Sequence, residues 1–337
     1  MPARLNRPQK SSNVVTDSTF VVFSAAPFAV ECVSLSVLGS LLPSLLVAGA
    51  GSLGAGVYGV ALCAALSVAA AYLAGVRILS RAAGFCAAGL VLLLPLHIAG
   101  SQEILSTAPA GAFSLLVLLC AVSSREAGLA RWLGAGLAGM VAAACRPLSV
   151  VFLLPALVAW RRDAGRTVSG LVALVAPSLG LALWTAWYNT AVFGSPLRSG
   201  YHFWCPVPYD YPQLLFSLGY LVDNFTALTK SGAVFIFPLA LFSIAVPGLA
   251  RDGRRKQLLG ERAAALAAAA TTVFHLVYFW PWGVYFEPCA VVLAPVAAAG
   301  VTLLAERISR HAVPRVVTAV FGLGVLAAWG GAHRSEA

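Results

Sequence analysis

Residues 168–188 read VSGLVALVAPSLGLALWTAWY, a stretch without one Asp, Glu, Lys or Arg. A hydrocarbon core about 30 Å thick needs roughly 20 apolar residues at about 1.5 Å each, so this stretch has the length and composition of a membrane span. Comparable blocks recur near 20–48, 53–76, 83–99, 105–122, 132–145, 147–160, 231–250, 263–280, 288–305 and 316–331. The block at 20–48 is too long for one simple span. The pair at 132–145 and 147–160 is short, which suggests a kinked or partly interfacial pair. Of the 337 residues, 60% are hydrophobic and 10% are charged, and mean hydropathy is +0.87. Soluble domains carry about a quarter charged residues, so the polar surface here cannot cover a water-exposed globule. The expected fold is all-α, a polytopic transmembrane helix bundle of about 10–11 spans. It divides into a cytoplasmic tail over 1–18, a transmembrane domain over 19–331 with an outer loop at 189–230, and a C-terminal tail over 332–337.

A net charge of +10 could suggest nucleic acid, but the distribution of the charge excludes that reading. Fifteen basic residues fall in alternate connections: Arg77 and Arg81; Arg125 and Arg131; Arg161, Arg162 and Arg166; 251–262; and 307–315. The intervening connections and the C-terminus hold four, namely Arg146, Arg198, Lys230 and Arg334. This is the positive-inside pattern of a multi-pass membrane protein. It puts 49–54, 100–104, 189–230 and 281–287 on the outer side. Six of the seven cysteines lie in or beside apolar blocks without a CxxC pair and read as small core hydrophobes.

The connection NTAVFGSPLRSGYHFWCPVPYDYPQLLFSLGYLVDNFTALTK, residues 189–230, is far longer than its neighbours, and long loops in compact chains are usually functional. Its Tyr, Phe, Trp and Pro content suits the headgroup level, and 213–229 could lie there as an amphipathic helix. Such a shelf fits an amphiphile with a polar head and a long tail; an interfacial anchor without chemistry fits equally. No Walker motif, GxGxxG or Ser-His-Asp set is present, and His97, His202 and His275 are too dispersed to form a metal-ligand pattern.

Tyr188-Asn189, followed by Phe193-Gly194-Ser195-Pro196 and Gly200-Tyr201, resembles a recurrent motif of the C-type superfamily of polytopic glycosyltransferases (GT-C). That superfamily includes protein O-mannosyltransferases and the aminoarabinose transferase of lipid A. Lys230-Ser231-Gly232 leading to Phe237-Pro238 resembles its next element. PLHIAGSQE at 95–103, GAGLAGMVAAACRP at 134–147 and WPWGVYFEPCAVVLAP at 280–295 resemble three others in order, so the resemblance spans roughly 35–305. The FGSP loop is the most specific of these. Two features depart from the family. Its N-terminal outer loop usually carries an acidic pair, yet before residue 50 this chain has only Asp17 and Glu31. The Arg that often follows the Trp-Gly turn is replaced by Tyr285-Phe286-Glu287-Pro288.

The resemblance implies transfer of a sugar from a polyprenyl-phosphate donor to an acceptor on the outer face of the plasma membrane, in a bacterial inner membrane. Such a reaction needs a carboxylate to take a proton from the attacking hydroxyl and cationic or dipolar groups, or a metal, to stabilise the departing phosphate. Glu103, at a tight outer turn, and Glu31, inside an apolar run, are the catalytic candidates, because ionisable groups at such depth are costly and usually functional. A solvated turn residue and an interfacial helix end are the respective structural alternatives. Lys230, Arg198 and Arg146 are candidates for the lipid phosphate; Lys230 could instead snorkel, and Arg146 could fix a kink beside Pro147. Tyr201, His202, Trp282 and Glu287 are candidates for sugar or acceptor contacts, although an aromatic belt explains the aromatic residues on its own. The sequence assigns no cofactor with certainty; a divalent metal at the phosphate is possible, and the sequence offers no ligand cluster for one. The expected partners are the lipid bilayer and a polyprenyl-phosphate-linked sugar, without nucleic acid, and nothing in the sequence fixes the oligomeric state. The rival readings are a non-catalytic protein that binds or translocates a lipid-linked sugar, and a small-molecule transporter.

Overall fold

The computed structural model describes residues 56–102, 106–123, 128–163, 167–204, 207–245 and 258–309. The expected spans at 20–48 and 316–331, and the candidates Glu31 and Glu103, lie outside the described residues. The helices in chain order are α1 (Gly56–Ile78), α2 (Arg81–Leu92), α3 (Pro95–Gln102), α4 (Thr107–Val122), α5 (Gly128–Cys145), α6 (Leu154–Arg162), α7 (Val168–Phe193), α8 (Leu221–Lys230), α9 (Ile236–Ala245), α10 (Leu258–Leu276) and α11 (Glu287–Ser309). Short 3-10 turns precede α6, α8, α9 and α11. No strand occurs among the described residues; one isolated antiparallel bridge joins Phe216 to Tyr278.

The protein is a multi-pass membrane protein built as an all-α bundle. Four described helices are long and apolar enough to cross a bilayer alone, over Gly59–Ile78, Gly128–Cys145, Val168–Phe193 and Gly283–Glu306. A fifth span forms if α8 and α9, bent by 85° where they meet, count as one broken crossing. Exposed leucines, valines and aromatics such as Leu62, Phe85, Leu137, Leu183, Trp187 and Leu266 clothe the bundle in the apolar surface that lipid requires.

Local chemistry explains the helix boundaries. Ser80 caps α2 by accepting from the Ala83 N–H, and Thr167 caps α7 by accepting from the Gly170 N–H, which relieves donors that have no partner at a helix start. Arg131, at the start of α5, donates from Nε to the Cys120 carbonyl at 2.7 Å and from a terminal nitrogen to that of Ala121 at 2.8 Å. A cation at the C-terminus of α4 meets its unpaired carbonyls and its dipole.

The structure also departs from the expected boundaries. The block at 83–99 is two helices, because Pro95 cannot donate to the ladder and disfavours helical geometry at Leu94. Helix α7 runs past 188 to Phe193, so the long connection starts later than 189. Residues 213–229 are not one amphipathic helix: Ser217 N–H donates to the Val277 carbonyl and Phe279 N–H to that of Leu215. This backbone pairing holds Phe216 and Ser217 extended after a single helical turn at Pro212–Leu215, and the longer helix begins only at Leu221.

Close packing depends on small residues, as it does where lipid supplies no hydrophobic drive between helices. A Cβ at Gly75 would lie 2.7 Å from the Ala83 carbonyl oxygen, and one at Gly136 would lie 2.3 Å from that of Ala173. Among the described helices the innermost is α11, whose residues Cys289 to Ala299 are buried. Chain reversal gathers 78–81, 162–163 and 167–168 at one end of the bundle. The other end collects 93–102, 106–107, 145–147, 193–204, 207–221, 230–236 and 276–287.

Candidate functional site

At that second end, Gly194 and Asn189 shape the long connection. Gly194 closes α7 in the left-handed region at φ 77°, which residues with a Cβ rarely adopt. Buried Asn189 donates to the Pro196 carbonyl at 3.2 Å, tying the FGSP turn back onto its helix. The chain then enters the single turn Tyr201–Trp204. His202 Nδ1 accepts from the Ser199 N–H at 3.1 Å, and the Tyr201 ring stacks on Tyr209 with centroids 5.2 Å apart. Tyr209 and Tyr278 share a hydroxyl–hydroxyl hydrogen bond. Buried Asn224, on α8, donates to the Leu276 and Tyr278 carbonyls, fixing the connection against the end of α10.

A second group of residues meets where α3, α5, α10 and α11 converge. Glu287 opens α11 and is fully buried. Its Oε1 lies 2.9 Å from Nδ1 of buried His97, on α3. The other ring nitrogen of His97 is 3.2 Å from the Ala64 carbonyl, on α1. Glu287 Oε2 is sealed from solvent and without a hydrogen-bond partner. Half-buried Arg146 follows α5, and its guanidinium carbon sits 4.7 Å from the Tyr285 ring centroid. Its Nε is also sealed and without a partner. Arg146 lies within electrostatic reach of Glu287, Tyr285 and Tyr201, as well as His275 and Cys289. His275 stacks on Tyr285 with centroids 4.9 Å apart and donates from Nδ1 to the Thr271 carbonyl at 2.8 Å.

The Lys230-Ser231-Gly232 turn belongs to the same end. Gly232 adopts φ 73°, and a Cβ there would lie 3.3 Å from Pro95. A Cβ on Gly283 would lie 3.2 Å from the Ala227 carbonyl oxygen and 3.4 Å from Ser231. The segments around Pro95, Arg146, Lys230 and Tyr285, dispersed over almost two hundred residues, therefore pack against one another.

The candidates named from sequence fare differently. Arg146 has Glu287 and Tyr201 within electrostatic reach. Trp282 packs edge-on to Tyr285, with centroids 5.8 Å apart. Arg198 is half-exposed and pairs with Asp210 at 3.5 Å; such a surface pair contributes at most about 1 kcal/mol. Lys230 is exposed at the end of α8. Glu287 is no open-loop carboxylate: its first oxygen already has a partner. From sequence, His97 and His275 stand only as members of a histidine set too dispersed to bind a metal, and Tyr285 only as part of the stretch that replaces the family's Arg. Tyr278 is not singled out there, and the density of Trp and Tyr over 278–285 was the available signal for it. Among the described residues no three His, Cys, Asp or Glu side chains come together as a metal site.

No protein-family description matches the sequence, and no curated protein matches it. Among solved structures the chain is similar to ArnT from Cupriavidus metallidurans in the apo state. The TM-score is 0.56 at 16% identity, over 93% of this chain and 63% of ArnT. It is also similar to the same protein bound to undecaprenyl phosphate, with a TM-score of 0.55 at 16% identity, over 93% of this chain and 64% of ArnT. The chain thus spans less than two thirds of the length of the protein it resembles. What it shares with ArnT is the fold, an all-helical membrane bundle.

Proposed function

We propose that this protein is a membrane glycosyltransferase. It takes a sugar from a polyprenyl-phosphate donor and passes it to an acceptor on the outer face of a bacterial plasma membrane. The observation that carries the reading is the convergence of His97, Arg146, Tyr285 and Glu287 beneath the aromatic connection around Tyr201. The similarity of fold to a protein crystallised with undecaprenyl phosphate supports the same direction.

In this reading Arg146 meets the phosphate of the donor, with Lys230 and Arg198 as outlying cations that draw an anionic headgroup inward. A guanidinium suits phosphate because its donors form a planar fork. Tyr201, His202 and Trp282 offer rings for a sugar or a prenyl chain to lie against. Glu103 and Glu31 remain the proposed proton acceptors. Of the carboxylates assigned to the outer side, Glu287 is held by His97, Asp210 pairs with Arg198, and Asp223 is exposed. A non-catalytic carrier of lipid-linked sugar draws support from that engagement of Glu287.

The experiment is an assay of purified protein with polyprenyl-phosphate sugars, comparing wild type with Glu103→Gln and Glu31→Gln. The expected result is donor consumption by wild type and its loss in at least one variant. No consumption by wild type would leave the carrier reading; full turnover in both variants would overturn the two catalytic assignments.

A further inference from the structure

The ring of His97 faces two oxygen atoms, and the hydrogens those contacts require set the charge beside Arg146. The Ala64 carbonyl can only accept, so the ring nitrogen 3.2 Å from it must carry a hydrogen. The 2.9 Å contact between Nδ1 and Glu287 Oε1 needs one hydrogen more, on either atom. Imidazolium facing carboxylate and imidazole facing carboxylic acid both contain those two hydrogens, and both sum to zero charge. The His97–Glu287 pair therefore offers Arg146 no net negative charge, although Glu287 is an electrostatic neighbour of that cation.

The other groups around Arg146 do not alter that sum. Tyr201, Tyr285, Cys145 and Cys289 are neutral in their ordinary states, and His275 can add only positive charge. Among the described residues no carboxylate forms an ion pair with Arg146. A guanidinium with a sealed, partnerless Nε and no counter-charge is costly unless an anion completes it.

We infer that His97 is a charge-setting residue. By keeping the Glu287 carboxylate neutralised it reserves Arg146 for an external anion, the phosphate of a prenyl-phosphate lipid. This rests on the lipid-phosphate reading above and narrows it to one cation and one supporting pair. His97 does not touch the ligand; it acts through Glu287.

The test uses the full chain in detergent, with farnesyl phosphate and uncharged farnesol as probes. Wild type should bind the phosphate better than the alcohol, and Arg146→Gln should lose that preference, by about tenfold or more for a desolvated charge contact. Glu287→Gln leaves the pair neutral, so phosphate affinity should stay within about threefold. His97→Gln frees a carboxylate beside Arg146 and should weaken phosphate binding by about tenfold without changing farnesol binding. The double variant His97→Gln/Glu287→Gln should then recover wild-type affinity.

Recovery is the decisive readout, because lost packing at His97 would not be repaired by a second substitution. Failure of the double variant to recover, or a gain of about tenfold in Glu287→Gln, would overturn the inference and leave the lipid-phosphate reading standing. A wild type that cannot tell farnesyl phosphate from farnesol would overturn that reading and the inference with it.

Discussion

Helices α7 and α11 are both long enough and apolar enough to span a bilayer, yet the bundle uses them in opposite ways. Of the most apolar window of each, 11% is buried inside the protein in α7 and 78% in the crossing that contains α11. The difference follows from side-chain size. Helix α11 offers Cys289-Ala290-Val291-Val292 and Ala297-Ala298-Ala299-Gly300, small groups that let neighbouring backbones approach. Helix α7 carries Leu179, Leu183 and Trp187 outward, where lipid tails are as suitable a solvent as a protein core. Hydropathy therefore identifies a crossing and leaves open which neighbour it faces; small residues mark the inner helix.

The same substitution in both helices is the strongest way to break this comparison. A Cβ at Gly300 would lie 2.9 Å from that of Ser243 and 3.1 Å from the Leu239 carbonyl oxygen, whereas nothing lies within 4 Å of one at Gly180. Gly300→Leu should cost about 3 kcal/mol through overpacking and lower the unfolding temperature in detergent. Gly180→Leu should leave that temperature unchanged or raise it, since glycine is a poor helix former. Equal effects would refute the inner and outer assignment.

The next largest effect lies at the head of α11. Glu287→Ala strands the His97 ring nitrogen in a buried site and should cost about 2 kcal/mol, read by the same melting experiment. At the foot of α7, Gly194→Ala forces a Cβ into the left-handed region at φ 77° and should cost about 1 kcal/mol. Leu183→Ala, on the lipid side, should shift stability by no more than about 0.5 kcal/mol. A larger loss there would mean that a protein partner covers α7.

These two helices also measure what the sequence makes legible. The span at 168–188 is readable because an unbroken apolar run has one physical home. Its continuation to Phe193 is not, because Asn189 and Thr190 look like loop residues until Asn189 finds the Pro196 carbonyl. The break at Leu93 and Leu94 interrupts a run, LVLLLPLHIAG, whose apolar residues continue on both sides of it; Pro95 was the available clue.

The site was legible in pieces. Arg146 and Glu287 stood out as rare charges at span ends, and the FGSP, Lys-Ser-Gly and Trp-Gly segments stood out through their resemblance. Their convergence was not legible, since the bond between His97 and Glu287 joins residues 190 positions apart and no spacing rule reaches that far. Nor could sequence show that Glu287 is enclosed, because a carboxylate beside proline and aromatics reads the same whether it faces water or another helix.

Arg146 is where the account is most exposed, and donor consumption by the purified protein tests it most directly. With a polyprenyl-phosphate sugar, wild type should release polyprenyl phosphate. Arg146→Gln, still folded by its melting curve, should do so at least about a hundredfold more slowly, the usual loss when a group stabilising a leaving phosphate is removed. Equal rates from the two proteins would contradict the claim that this end of the bundle is built around that cation.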